Sequence, residues 1–438
     1  MKILILSQYP WNKENSFGNT YSSIFGKIED IEIANVYLMA GKPDYEPVIK
    51  RYYNIPESTV LSSFIKRDKK HAVGREVHLA DFAAENESSP IKQNKAWYER
   101  VLALGKRKHW RWMFWLRELA WKYGNINYDG LIEFIKDFNP DIFFLPYSHI
   151  FYTNRLAIYI KDRMNVPMVM EMAMDHYTLK RISYNPLFWI DRFAKRRMIR
   201  KLASRSEMIY VISKKLKDEL EHLLGVPCRV LYKTPDTDRE AVPYMGSGNS
   251  VKFLFTGNIY ANRWKSLAML AEVLKKKGYG KLDIYTASPI TSAIKKSLDI
   301  DGYSELHPPV SQDEVIRLQN EADVLVHVEA FDRYNKSLVR CAISTKIMDY
   351  LSVGRCILAI GPDDISSIEY LSKNDVALIA NSEKELENVI VRMQQNPSVI
   401  AEYAQRGKDY TNTHLNAGQI RKAFCDELQG IIKQYENK

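Results

Sequence analysis

"CAISTKIMDYLSVGRCILAIGP", residues 341–362, sets a polar triplet, Ser344-Thr345-Lys346, directly before an apolar helical pattern, and follows it with Gly354, a β-rich run and Gly361-Pro362. The first turn of a helix leaves backbone N–H groups unpaired and carries the positive end of the dipole. Ser or Thr there caps the helix, and an approaching anion is stabilised. Phosphate suits the position. Ile347, Leu351 and Val353 supply an apolar face, Asp349 falls on another face one turn beyond Thr345, and Gly354 fits a C-cap ahead of a strand over 356–360. The pattern predicts a phosphate cradle at the helix start and, further along, a carboxylate able to accept hydrogen bonds from ribose hydroxyls. An ordinary capped helix in an α/β layer would read the same way, so the surrounding chain has to decide.

Working outward, strands alternate with helices. In the first half, an apolar strand over 2–7 leads to a loop rich in Asn, Ser and Gly, then a helix from Thr20 to Ile28 and a second strand over 31–38. "LIEFIKDFNPDIFFLPYSH" (131–149), "NRLAIYIKDRMNVPMVMEMAMDHY" (154–177), "SEMIYVISKKLKDEL" (206–220) and "CRVLYKTPD" (228–236) continue the alternation. Residues 237–250 lose periodicity and gain Pro243, Gly246 and Gly248, as a linker does. A second cycle starts at "VKFLFTGNIY" (251–260) and ends in "VALIA" (376–380). The expected organisation is an α/β chain of two parallel-sheet domains, 1–236 and 251–415, joined by the linker 237–250. A C-terminal helix over 416–438 could return to the N-terminal domain. Open sheets of this kind bind ligands beyond the carboxyl ends of their strands, so two of them facing each other form a cleft.

Composition sets limits on function. The 438 residues carry 63 Lys+Arg against 53 Asp+Glu, a basic balance that favours anionic partners. Nucleic acid is disfavoured because no zinc-finger spacing or glycine-rich RNA motif accompanies the charge. The four cysteines, Cys228, Cys341, Cys356 and Cys425, show no paired metal spacing and are too few for a disulfide framework. No apolar run reaches the roughly 20 residues of a membrane span, and a cytoplasmic location is the default expectation.

In their order, 206–236, "FLFTGNIYANRWKSL" (253–267), "ADVLVHVEAF" (322–331) and "STKIMDYLSVGRCILAIGP" (344–362) resemble the GT-B glycosyltransferases of the glycogen-synthase-like, retaining group. The resemblance implies two Rossmann-like domains facing across a cleft, the second binding a sugar nucleotide and the first contributing the acceptor side. It implies that Ser344, Thr345 and Lys346 receive the diphosphate and that Asp349 holds ribose. The group usually carries Gly-Arg after the first strand of domain two. Here that pair reads Gly257-Asn258, with Lys265 matching the following lysine one residue late and Arg263 available to replace the lost charge. The usual pair of glutamates seven residues apart is missing, with Cys341 at the first position and Glu329 as the nearest acidic substitute.

Transfer from a nucleotide sugar requires a departing diphosphate to be stabilised, which positioned cations and helix-start N–H groups do electrostatically. Lys265, Arg263, Lys346 and the helix dipole are the candidates, with no obligatory metal or cofactor and a UDP- or GDP-sugar as donor substrate. Asp175 and His176, after the strand over 168–172, could shuttle a proton or contact a sugar hydroxyl, or simply form a structural turn. Gly18 and Asn19 could bring the first loop to the donor phosphate, or mark a turn. The stretch 105–124 mixes Lys106, Arg107, Lys108 and Arg111 with Trp110, Trp112, Phe114, Trp115 and Trp121. It suits either peripheral contact with the inner face of an anionic membrane or an aromatic core helix, and "RFAKRRMIRK" (192–201) adds basic weight. The expected function is glycosyl transfer to a glycan or lipid-linked glycan, as in cell-surface polysaccharide synthesis. A nucleotide-sugar 2-epimerase of the same fold and a non-catalytic glycan or nucleotide binder are the alternatives.

Overall fold

Short runs of β-branched and aliphatic residues, each followed by a polar loop and an amphipathic helix, can bury both faces only inside a parallel sheet flanked by helices. The computed structural model, which describes residues 1–82, 111–178, 180, 182–235 and 250–438 (with the side chains of 111–115 outside that description), contains two such sheets. The first is built from β1 (Lys2–Ser7), β2 (Glu32–Tyr37), β3 (Ile49–Asn54), β4 (Arg75–Val77), β5 (Ile142–Pro146), β6 (Met168–Met172), β7 (Met208–Val211) and β8 (Cys228–Val230). Their order is β4-β3-β2-β1-β5-β6-β7-β8, parallel except for β4. The second contains β9 (Lys252–Thr256), β10 (Lys281–Tyr285), β11 (Ser304–His307), β12 (Val324–Val328), β13 (Cys356–Ile360) and β14 (Leu378–Ala380), ordered β11-β10-β9-β12-β13-β14 and parallel throughout.

Each sheet is packed on both faces. Leu4, Leu6, Phe143 and Leu145 point into one core of the first sheet, and Ile3, Ile5, Ile142 and Phe144 into the other. The second of these cores is closed by the C-terminal helix Ala417–Glu436. Its Phe424 lies 5.5 Å from the ring of Phe25 and 5.2 Å from that of Tyr210, and Tyr210 donates to Glu427 at 2.9 Å. The last helix of the chain therefore covers the first sheet.

Two local expectations shift. The first helix begins at Ser16, ahead of Thr20, because Asn15 accepts from the Gly18 N–H at 2.8 Å and caps it. In the stretch 105–124, residues 105–110 lie outside the described residues, as do 236–249 of the linker region. Trp121 is a core residue, stacked on Tyr152 at 4.2 Å with an interplanar angle of 2°. Among the described residues no helix is long and apolar enough to cross a membrane.

Candidate active site in the interdomain cleft

Strand order reverses between β1 and β5 in the first sheet and between β9 and β12 in the second. At such switch points neighbouring loops part and leave a crevice beyond the carboxyl ends. In the second domain the elements that meet at this point are Gly257 after β9, Glu329 after β12, and the start of helix Thr345–Val353.

Lys346 is the central cation. Its Nζ lies where a side chain on residue 257 would begin, an ideal Cβ there falling only 1.6 Å away, and Gly257 itself has φ +136°. Glycine is required twice over, for the backbone angle and for the space. The ammonium lies 5.0 Å from the Phe255 ring centroid, and burial with the neighbouring Arg263 guanidinium brings its pKa down to about 8. Ser344 occupies the N-cap position, but its hydroxyl accepts no capping hydrogen bond. The expectation that this hydroxyl caps the helix is corrected, and the first turn is left without an N-cap side-chain acceptor.

Glu329 is buried and grips Arg263 through two hydrogen bonds of 3.0 Å. Burial pushes the Glu329 carboxyl up against the pull of Arg263. Its backbone carbonyl accepts from Ser266 Oγ at 2.7 Å, so the loop after β12 is tied to helix Arg263–Lys277. His327, two residues earlier on the same face, is buried, with Nε2 3.5 Å from Glu329 Oε1 and making no hydrogen bond among the described residues. Burial and the charges of Arg263 and Lys346 hold its pKa down to about 3, so the ring is neutral at pH 7. Arg263, Glu329, His327 and Lys346 thus form one electrostatic cluster. Asn258 and Lys265 are exposed, and Lys265 lies outside that cluster with Nζ 5.7 Å from the Trp264 ring centroid.

Asp349 reaches across to the first domain, where Lys233 Nζ donates to its Oδ1 at 2.6 Å. Arg340 makes a second crossing, with hydrogen bonds of 2.7 and 2.6 Å to the Glu219 carboxylate, and Ser213 Oγ donates to the Cys341 carbonyl at 2.7 Å. Cys341 is buried at this junction.

On the first-domain side, Asp175 accepts from the N–H groups of Tyr177 and Thr178 at 3.1 and 2.7 Å and lies 3.5 Å from Arg340. It stabilises a turn and the interdomain junction. His176 sits 5.3 Å from the Tyr147 ring and 6.2 Å from that of His149, and burial, with His149 and Lys195 nearby, lowers its pKa to about 4. The Gly18 N–H is engaged by Asn15, and a Cβ there would collide with the Asn12 backbone at 2.0 Å, so this glycine serves close packing; the Asn19 N–H bonds the Asn15 carbonyl at 3.0 Å.

Sequence reading did not single out His327, Lys233, Arg340 or the half-buried Glu171, whose carboxyl burial raises to about 7 while Tyr21 donates to it at 2.7 Å. A polar residue inside an apolar strand was the available signal for His327 and Glu171. Nothing local marks the other two. A cavity of about 590 Å³ opens at the ends of β2 and β3. Thr59, Ser62, Ser63 and Lys66 line one wall from a single face of helix Glu57–Lys66, with Lys42 and Arg75 opposite. None of these three cations forms an ion pair among the described residues.

Two parallel-sheet domains meeting at their switch points define the GT-B fold, and this chain superposes on solved structures of that fold. HepE from Anabaena in complex with UDP matches over 98% of this chain and 100% of its own, with a TM-score of 0.60 at 9% identity. An α,α-trehalose-phosphate synthase (UDP-forming) from Burkholderia xenovorans in complex with glucose-6-phosphate covers 98% and 100%, with a TM-score of 0.59 at 10% identity. The UDP-GlcNAc 2-epimerase of Neisseria meningitidis bound to UDP-GlcNAc covers 98% and 100%, with a TM-score of 0.50 at 14% identity. No protein-family model matches the chain, and no curated protein matches it in sequence.

Proposed function

We propose that the protein is a glycosyltransferase that takes a sugar from a nucleotide-diphosphate donor, a UDP-sugar first among them. The observation that carries this reading is Lys346, a buried ammonium held against Gly257 at the start of a helix whose N-cap side chain leaves the first turn uncapped. A diphosphate there would meet the ammonium, the helix dipole and, beyond Glu329, the Arg263 guanidinium. These positive groups would stabilise the leaving group as the anomeric C–O bond breaks and an acceptor hydroxyl oxygen bonds the same carbon, its proton passing to the departing diphosphate oxygen. In this reading they need no obligatory metal, and the transfer is retaining. Asp349 would take the ribose hydroxyls while Lys233 holds its other side. Domain one from 1 to 236 and domain two from 251 to 415 are the working units, with the helix 416–438 completing the first.

The acceptor is a glycan, and a lipid-linked one would place the enzyme at the inner face of a membrane. The cavity bounded by Lys42, Lys66 and Arg75 combines hydroxyls with three cations, which suits a glycan bearing acidic groups. His176, neutral at pH 7, is the candidate to orient an acceptor hydroxyl near Tyr147.

The test is titration with UDP, GDP and their sugars, following thermal stabilisation, with Lys346→Ala as control. Selective stabilisation by one nucleotide diphosphate, lost in the variant, establishes the donor site. No response from folded protein refutes it. The similarity to a 2-epimerase supports a second reading, excluded by transfer or donor hydrolysis without formation of a 2-epimer.

A further inference from the structure

Immediately after the Asp175 turn the chain displays large apolar side chains to solvent. Ile182 is 77% exposed, Ile190 57% and Phe193 68%, joined by Tyr184, Leu187 and Trp189. Most of them belong to helix Pro186–Ala203. On that helix Ile190, Phe193, Arg197 and Lys201 follow one another at spacings of three and four residues, so they share one outward stripe. Its first half is apolar and its second half cationic. The opposite face, Ile199, Leu202 and Ala203, is packed into the domain core.

The stripe does not arise because the helix is loosely held. Arg196 donates to the Tyr177 carbonyl at 2.8 Å, Arg200 to the Tyr177 hydroxyl at 2.7 Å, and Arg192 to the Thr178 carbonyl at 2.7 Å. Asn185 caps the start through the Leu187 N–H. Arg197 and Lys201, on the outer face, form no ion pair among the described residues. A well-anchored helix that keeps its largest hydrophobic side chains in water, beside unpaired cations, has the composition of an interfacial helix.

We propose that this surface, residues 182–201, docks the protein on an anionic lipid bilayer. The apolar half, from Ile182 to Phe193, enters the headgroup boundary, and Arg197 and Lys201 meet the lipid phosphates. The charges select a membrane over a second copy of the chain, because a symmetric pairing of this stripe would either oppose its cations or leave them buried without partners. Within the 105–124 stretch, Trp121 belongs to the core. The docking surface adjoins the Asp175–Thr178 turn, so docking brings the first-domain edge of the cleft to the bilayer.

Cosedimentation of the full chain with vesicles tests this. The protein is expected to pellet with vesicles of phosphatidylglycerol and phosphatidylcholine in equal parts, to stay soluble with phosphatidylcholine alone, and to be released by salt. Trp189 emission should shift to the blue on binding. Ile190→Glu with Phe193→Glu should abolish pelleting, and Arg197→Glu with Lys201→Glu should weaken it by more than about tenfold. All four positions are exposed, so both variants should fold, and unchanged UDP-induced thermal stabilisation or an unchanged melting curve confirms it. Wild-type protein that remains in the supernatant overturns the proposal, as does pelleting indifferent to both variants. Self-association that Ile190→Glu with Phe193→Glu removes, without vesicle binding, assigns the surface to a second copy and also overturns it. None of these readouts depends on glycosyl transfer.

Discussion

The Lys346 ammonium occupies the space a side chain at residue 257 would need, 1.6 Å from the ideal Cβ position of Gly257. The cation proposed to meet phosphate and the glycine after β9 are therefore one device assembled from residues 89 positions apart. Gly257→Ala must move the ammonium and strain a backbone at φ +136°. We expect a stability loss of about 1–3 kcal/mol and UDP affinity down by more than about tenfold. Calorimetric titration and thermal melting check both, and unchanged UDP affinity would dissociate Gly257 from the site.

Lys346 should give opposite signs for stability and binding. Its native pKa of about 8 lies below the ordinary lysine value. Between the two values the unfolded chain holds the extra proton, so this residue makes stability rise with pH through that window. Lys346→Met should thus be neutral or stabilising at pH 7 while abolishing UDP binding. In the wild type UDP affinity should fall as pH rises through about 8, a slope missing from the variant.

Arg263 and Glu329 should fail as a coupled pair. Glu329→Ala leaves Arg263 against buried Lys346, and Arg263→Ala leaves a buried carboxylate alone. Each is expected to cost about 3 kcal/mol, with the double variant costing less than the sum. A double-mutant cycle measured by urea unfolding tests the coupling.

Asp349→Asn separates ribose from phosphate recognition. UDP should bind about tenfold more weakly, whereas inorganic pyrophosphate should bind as before. Equal loss for both ligands would mean that the Lys233–Asp349 pair acts by holding the domains together.

His327 shapes the acid limb of stability. The native ring resists protonation down to about pH 3, while an unfolded histidine takes a proton near 6.5. Below that value the unfolded state binds more protons, so stability falls as pH drops. His327→Gln should make this decline shallower in unfolding titrations between pH 7 and 4. An unaltered slope would show that other groups carry it.

Periodicity alone was enough to read the two sheets, since a run such as "VLVHV" or "CILAI" between helical patterns has few ways to bury both faces. The residue types of the proposed donor cradle were equally legible, because a helix start is local and so is the lysine beside it. The sequence could not show which cations face one another. Arg263 and Glu329 are 66 positions apart, Lys233 and Asp349 are 116, and Arg340 and Glu219 are 121. Strand order and domain closure bring these pairs together, and loop sequence does not encode either. For the same reason Asp175 and Gly18 read along the chain either as ligand contacts or as turns, and only the tertiary structure shows the turn hydrogen bonds of Asp175 and the close packing of Gly18 on Asn12. Exposure also belongs to the tertiary structure. In the sequence, Trp121 and Trp189 are both tryptophans among basic residues, and only folding stacks one on Tyr152 and leaves the other in solvent.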